Sequence, residues 1–367
     1  LDRSTKSTLL SSMAALAGVL VADGQGPPRQ TVADLDGLAF PLESYPSYDA
    51  RWYGDDQLVV PGGMVTSRGC PARCSFCANY VTGRAFRWRS ADNVVAEMRA
   101  LRERYGVTQF SFWDDAFTAH RPRLRDLCDA IEAESTLDGV TWSCITPANM
   151  VRPAILERMR KAGCVAINFG IESGDARVLK SIDKGQRPEQ VLAAVEAASA
   201  LGMSTVVNFM FGFPGEGVEA LDRTHDLMES LARDVDYFNN RGVLVPMPGT
   251  GVYDLHHQKY GFTDWWLDPK MVPAEPNLYS LEPRALQEYV EHDVTLDLDF
   301  FRYEDAVRDR IAELVRFKAR HNQRTMQRIA AGHLRVPSDE REALETGAAR
   351  ATMVVDGTEQ MQVNASV

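Results

Sequence analysis

From residue 58 to residue 255, short apolar runs alternate with amphipathic helical segments, and this alternation constrains the fold more than any other feature of the chain. The apolar runs predict strands at 58–66, 109–113, 140–145, 165–171, 205–211 and 237–246. Between them the spacing predicts helices at 91–105, 122–134, 153–162, 188–201 and 218–232. Helix starts carry proline or an acidic first turn, as in Arg187-Pro188-Glu189. Helix ends carry glycine, at Gly106, Gly163 and Gly202. Strands alternating with helices build a parallel sheet with helices packed on it. Six such units fit an α/β fold of the partial (β/α)6 barrel type. A flat doubly wound sheet would show the same alternation.

The flanks read differently. Residues 1–57 predict an N-terminal linker segment, with a hairpin-like turn signal at Ala22-Asp23-Gly24-Gln25-Gly26 and then Pro27, Pro28, Pro41 and Pro46. Residues 256–337 predict a mostly helical C-terminal extension. Its first part is rich in aromatics and prolines, with Trp265 beside Trp266. Residues 338–367 predict a tail, a short helix followed by loose chain. The chain opens on Leu1 rather than Met, which suggests a fragment or a processed product.

Acidic residues number 51 against 40 basic ones, a formal charge of −11. That balance argues against a nucleic-acid coat, which needs a basic face. No run of eighteen apolar residues occurs, so no membrane span is expected.

The residues with the most chemistry lie between the first predicted strand and the first predicted helix. Cys70, Cys74 and Cys77 form a C-x3-C-x2-C spacing, with Gly69 and Pro71 marking a loop. Three thiolates converging on one centre suit a cubic iron–sulfur cluster with one iron left open, since such clusters usually take four thiolates. A zinc site would want a fourth ligand, and the next histidine is His120. A disulfide framework does not suit six cysteines in 367 residues. Cys128, Cys144 and Cys164 read as core residues on a helix and on strands.

In a parallel α/β barrel, ligands bind at the carboxyl ends of the strands. The cysteine loop follows the first strand, and Asp114 with Asp115 follows the second. Glu172 follows the fourth strand, and Gly212, Pro214, Gly215 and Glu216 follow the fifth. Each also has an ordinary structural explanation: a loop carboxylate for the aspartates, a salt bridge to Lys180 or Lys184 for Glu172, and a strand-to-helix turn for the glycines. Arg84, Arg87 and Arg89 are candidates for neutralising an anion, or for a solvated basic face.

The cysteine stretch resembles the signature of the radical S-adenosylmethionine superfamily, C-x3-C-x-φ-C, with Phe76 in the aromatic slot φ. The resemblance covers roughly residues 30–255, and the partial barrel is that family's core fold. It implies that Cys70, Cys74 and Cys77 hold a [4Fe-4S] cluster and that S-adenosylmethionine binds at the open iron. It further implies cofactor contacts from Phe76 and from Asp114 and Asp115, which stand where the family commonly has Gly-Gly-Glu. Glu172 would then contact the ribose, and the stretch holding Gly212 and Gly215 would lie against the adenine. The implied reaction is one-electron cleavage to methionine and a 5′-deoxyadenosyl radical, which takes hydrogen from a small-molecule substrate.

A low-potential donor such as flavodoxin or ferredoxin is the implied electron source, and reduced cysteines with an oxygen-sensitive cluster suit the cytoplasm. The proline-rich linker and the Asp-Asp pair resemble the cobalamin-linked branch, where C-methylation is the commonest reaction. Cobalamin would need an additional domain, because no D-x-H-x-x-G pattern precedes the first strand. Asp254-Leu255-His256-His257-Gln258-Lys259 is no substitute, since lysine stands where that pattern has glycine. Two other readings remain: a cobalamin-free radical dehydration, epimerisation or cyclisation, and a non-catalytic metal-binding protein. Residues 260–279 are a candidate lid over the barrel mouth.

Overall fold

Six parallel strands form the central sheet in the computed structural model. The structure describes residues 31–43, 62–239, 242–268 and 298–330, the last five of these as backbone only. It also describes two short strand pairs near the termini. The chain divides into two compact units, Leu1–Ala39 and Phe40–Val367.

The sheet strands are β1 (Gly63–Met64), β2 (Gln109–Phe112), β3 (Thr141–Pro147), β4 (Cys164–Glu172), β5 (Ser204–Phe209) and β6 (Tyr237–Asn239). The helices are α1 (Ala91–Tyr105), α2 (Arg121–Ala133), α3 (Pro153–Lys161), α4 (Ala176–Ser181), α5 (Pro188–Ala200), α6 (Val218–Leu231), α7 (Gly251–Tyr260) and α8 (Asp305–Ala330). Strand order across the sheet is β6-β5-β4-β3-β2-β1, with every pairing parallel. A doubly wound sheet reverses its order at a switch point. This sheet has no reversal, so right-handed crossovers put all the helices on one face. The other face is the inside of a partial (β/α)6 barrel.

Side-chain alternation agrees. Phe110, Phe112, Trp142, Phe169, Phe209 and Phe238 point to the helices and are almost fully buried. The residues between them, such as Ser111, Ser143, Asn168 and Asn208, are half-buried on the inner face. Cys128, Cys144 and Cys164 lie in the core, as expected of structural thiols.

Local chemistry sets the boundaries. Ser90 caps α1 by accepting from the Asn93 N–H, and Gly106 ends it with φ 68°. The sixth strand is shorter than its apolar run, because Gly242, Pro246 and Pro248 favour loop. Beyond it the chain returns to β5 through a Phe211–Val243 bridge. Residues 58–61 of the first expected strand lie outside the described residues, as does most of the lid segment 260–279. The short helix α4 and the helix α7 were not anticipated; each is capped at its start, by Asp175 and Thr250. Within the tail, Thr352–Val355 pairs antiparallel with Glu359–Gln362, and residues 338–351, where the short helix was expected, lie outside the described residues. A β-branched run followed by Asp356-Gly357 is hairpin chemistry. At the other end Leu20–Val21 pairs with Gly24–Gln25, which agrees with the turn signal there.

Helix α8 covers the outer edge of β6. Asn322 accepts from the Phe238 N–H and donates to the Phe238 carbonyl, both at 2.9 Å. The His321 ring nitrogen lies 2.9 Å from the Val235 carbonyl. One side chain thus stands in for a neighbouring strand and removes an edge that would otherwise pair with other chains.

Candidate active site at the carboxyl ends of the strands

The cysteine loop is tied shut at its base. Ser67–Arg68 pairs antiparallel with Arg87–Trp88, and Cys70 N–H donates to the Gly83 carbonyl at 3.2 Å. Gly69 has φ +89°, and a Cβ there would lie 2.4 Å from the Ala85 carbonyl oxygen, so no other residue fits. The loop tip is pinned from both sides. Ser75 N–H donates to the Ile182 carbonyl just after α4, and Val252 N–H of α7 donates to the Ser75 carbonyl. Phe76 packs edge-to-face on Phe213, with ring centres 5.8 Å apart. The two unanticipated helices therefore hold the loop.

Asp114 and Asp115 brace this loop. Asp114 is buried and accepts from Thr66 N–H, Thr66 Oγ1 and Ser67 Oγ, each at 2.6 Å. Arg123 lies 3.4 Å from the same carboxylate. Asp115 accepts from Gly69 N–H at 3.0 Å and from Thr82 Oγ1 at 2.8 Å. Of the three arginines, Arg89 is held by Glu97 at 2.5 Å and by Asn93 at 2.6 Å, and Arg87 donates to the Thr82 carbonyl. Both serve the loop; Arg84 is exposed.

Glu172 sits on an irregularity. The β4–β5 register shifts between Gly170 and Glu172, and Glu172 has φ 74°, unusual for a residue with a side chain. A bulge of this kind re-aims a side chain at the end of a strand. The Glu172 carboxylate meets Lys184 Nζ at 2.5 Å, and both side chains are buried. A Cβ on Gly170 would stand 3.1 Å from both charged atoms, so the pair needs glycine there. The Lys184 ammonium also lies 5.6 Å from the centre of the Phe76 ring. Sequence reasoning had Lys184 only as one possible salt-bridge partner; its burial against the cysteine loop has no local sequence signal.

The electrostatics link this pair to the cysteines. Burial pushes the Cys74 thiol up to about 11, opposed by the nearby positive charge of Lys184. Burial also raises Cys70 and Cys77, and Lys184 again lowers both. Burial disfavours the charged form of Lys184, but Glu172 and then Cys74 hold its pKa above the ordinary lysine value.

The fifth-strand stretch divides in two. Gly212 faces Tyr303, which fills the space a Cβ would need and donates its hydroxyl proton to the Gly212 carbonyl at 2.6 Å. Gly215 has φ +80° and open space around its Cβ position. Glu216 is buried and accepts from the Gly212 and Phe213 N–H groups at 2.7 and 3.2 Å. Burial raises its carboxyl to about 7 despite those two donors. A carboxyl whose folded-state pKa exceeds its unfolded value of 4.5 stabilises the fold below that value, and the stabilisation is lost as pH rises through about 7. Glu216→Gln should abolish that loss, worth up to ~3 kcal/mol. Urea unfolding at pH 5 and pH 8 checks this; the same pH dependence in wild type and variant would refute it.

The fold is a parallel six-stranded partial barrel with a three-cysteine loop after its first strand. Residues 64–228 match the radical SAM superfamily. It is similar to a protein named as an uncharacterized methyltransferase of Pyrococcus horikoshii, 34% identical over 230 residues, which are 62% of this chain and 48% of that one. It is similar also to bacteriochlorophyllide d C-12(1)-methyltransferase of Chlorobaculum tepidum, 30% identical over 207 residues, which are 55% of this chain and 44% of that one. Among solved structures, the radical S-adenosylmethionine methyltransferase TsrM from Kitasatospora setae, with cobalamin and a [4Fe-4S] cluster bound, shares the fold. Its TM-score is 0.55 at 19% identity, over 78% of this chain and 58% of that one. The chain spans about half the length of the relatives it matches. The superfamily implies a [4Fe-4S] cluster and S-adenosylmethionine. No helix among the described residues is long and apolar enough to cross a membrane.

Proposed function

We propose that this chain is the radical-generating barrel of a C-methyltransferase, with a [4Fe-4S] cluster on Cys70, Cys74 and Cys77. The observation that carries this is the loop itself: three free thiols on one loop, pinned at its base and tip, beside the buried pair Lys184 and Glu172. Held on those thiolates and reduced by an external one-electron donor, a [4Fe-4S] cluster would supply the electron for reductive cleavage of S-adenosylmethionine, the source of a radical that would take hydrogen from a small-molecule substrate.

The chain's own residues do the positioning. Asp114 and Asp115 fix the loop from beneath by binding Thr66, Ser67, Gly69 and Thr82. Phe76 closes its tip against Phe213 and shields Lys184 from water. Lys184 is the positive charge through which the thiolates become accessible, because it opposes the desolvation that keeps them protonated. Glu172 holds Lys184 and carries the carboxylate for the ribose of S-adenosylmethionine. Gly215 leaves room for a flat ring beside backbone. Asp114, its acceptor positions already engaged, belongs to the loop and not to the cofactor's amine.

The names of two relatives, both methyltransferases that are longer than this chain, support methylation. Cobalamin would be held by a domain outside this chain, and the electron would come from a flavodoxin- or ferredoxin-type donor in the cytoplasm.

The test uses anaerobically reconstituted, reduced protein with S-adenosylmethionine. Release of 5′-deoxyadenosine without added substrate is the expected result; none from protein carrying a full complement of iron would overturn the reading. Adding the upstream reading frame and titrating cobalamin then separates methylation from a cobalamin-free radical reaction.

A further inference from the structure

The cysteine loop carries a charge opposite to that of the chain as a whole. Residues 57–91 hold Arg68, Arg73, Arg84, Arg87 and Arg89 with no aspartate, glutamate or lysine, in a chain whose formal charge is −11. Arg87 and Arg89 serve the loop from within. Arg68, Arg73 and Arg84 are exposed, and among the described residues none of their guanidinium groups has a hydrogen-bond or ion-pair partner. Each is fixed close to a thiol. Arg68 stands two residues before Cys70, and Arg73 directly precedes Cys74. Arg84 follows Gly83, whose carbonyl accepts the Cys70 N–H at 3.2 Å. Asp115 is exposed here too, but its Oδ2 is engaged by Gly69 and Thr82. Apolar side chains are exposed on the same stretch: Tyr80 at 55%, Val81 at 75% and Trp88 at 41%. Two of them are held in place. Trp88 stacks on His120 with ring centres 4.3 Å apart, and the Tyr80 hydroxyl donates to the Pro248 carbonyl at 2.6 Å. A face that meets only water does not need fixed, exposed aromatics beside unpaired arginines. Arginine and aromatics together, with lysine and glutamate missing, are the composition of a protein–protein contact.

We infer that the outer face of the cysteine loop, marked by Arg68, Arg73, Arg84, Tyr80 and Trp88, is the docking surface for an acidic one-electron carrier protein. Carboxylates on the carrier pair with the three arginines, and the aromatics exclude water from the contact. The carrier's cofactor is thereby brought to the loop that would hold the cluster. Each encounter oxidises the carrier by one electron and reduces the centre on the loop by one, with no bond formed or broken. Contacts of this kind are small, and opposite charges speed the encounter. This deepens the proposed function and rests on it, because that reading requires an electron from outside the chain.

The experiment mixes the anaerobically reconstituted chain with a photoreduced acidic flavodoxin and follows bleaching of the cluster absorption by stopped flow. Charges act over about 30 Å at an ionic strength of about 0.01 M and over about 8 Å at about 0.15 M. Reduction should therefore be about tenfold faster, or more, at the lower salt. The triple variant Arg68→Gln, Arg73→Gln, Arg84→Gln should be about tenfold slower than wild type at low salt and nearly indifferent to salt. Light-driven reduction by deazaflavin, a small reductant that needs no docking face, should be equal in the two proteins. Equal flavodoxin rates in wild type and variant, or a wild-type rate indifferent to salt, would overturn the inference and leave this face to nucleic acid or to another part of a longer protein. The salt comparison needs no variant to fold. Iron analysis of the same wild-type sample reports separately on the underlying function. Should it hold no iron, calorimetric binding of the flavodoxin to the metal-free chain, at the two salt concentrations, still decides the docking.

Discussion

Anaerobic reconstitution should load about four irons per chain, and Cys70→Ala, Cys74→Ala and Cys77→Ala should each abolish that loading. The loss should be complete, because the loop has no spare thiol: Cys128, Cys144 and Cys164 are buried in the core on the helix side. Cys128→Ala should keep its iron. Each loop variant should also fold, since the hydrogen bonds of Gly69, Ser75 and Thr82 that hold the loop use backbone and oxygen atoms, not sulfur. Iron analysis and the charge-transfer absorption of the cluster read the result. Stoichiometric zinc with no uptake of iron would sink the cluster assignment.

Lys184→Met should destabilise the protein by about 3–5 kcal/mol, the usual consequence of leaving one member of a buried ion pair without its partner. The stranded group is Glu172, pressed against Gly170 at the bulge. Replacing both members, Lys184→Met with Glu172→Gln, should recover most of that loss, because no charge then remains buried. A second readout separates this electrostatic role from plain packing. Lys184 lowers the pKa of all three loop cysteines, so its removal should slow their alkylation by iodoacetamide in the metal-free protein. Unchanged stability together with unchanged alkylation would show that Lys184 and Glu172 do not act as a pair. Glu172→Ala is expected to weaken S-adenosylmethionine binding as well, since a buried ribose would lose charged acceptors worth roughly 1.5–3 kcal/mol.

Much of this was legible in the amino-acid order, because it depends on local spacing. The period of the apolar residues marked five helices within a residue or two of their positions, and the apolar run 165–171 marked the strand observed at Cys164–Glu172. Gly69 and Pro71 beside three thiols marked a loop, and the thiol spacing a candidate metal site, without any knowledge of the fold. The alternation of strands and helices fixed the α/β class. It left open a barrel or a flat sheet, since both present the same pattern along the chain. Only the order of strands in space, β6 through β1 with no reversal, decided that question.

Tertiary structure also decided which polar residues work together. Asp114 and Asp115 stand next to each other in sequence, yet they brace different parts of the cysteine loop, contacts 46 to 48 residues away that no local pattern encodes. The need for glycine at Gly212 comes from Tyr303, 91 residues further on. Glu172 and Lys184 lie 12 residues apart, but a bulge, a left-handed backbone angle and a glycine are required to bring their charges together out of water. The sequence by itself determined the residue types and where along the chain each could act, because propensity and periodicity are short-range. The pairing of charges was decided only by the folded sheet, because burial and desolvation depend on what the rest of the chain brings alongside.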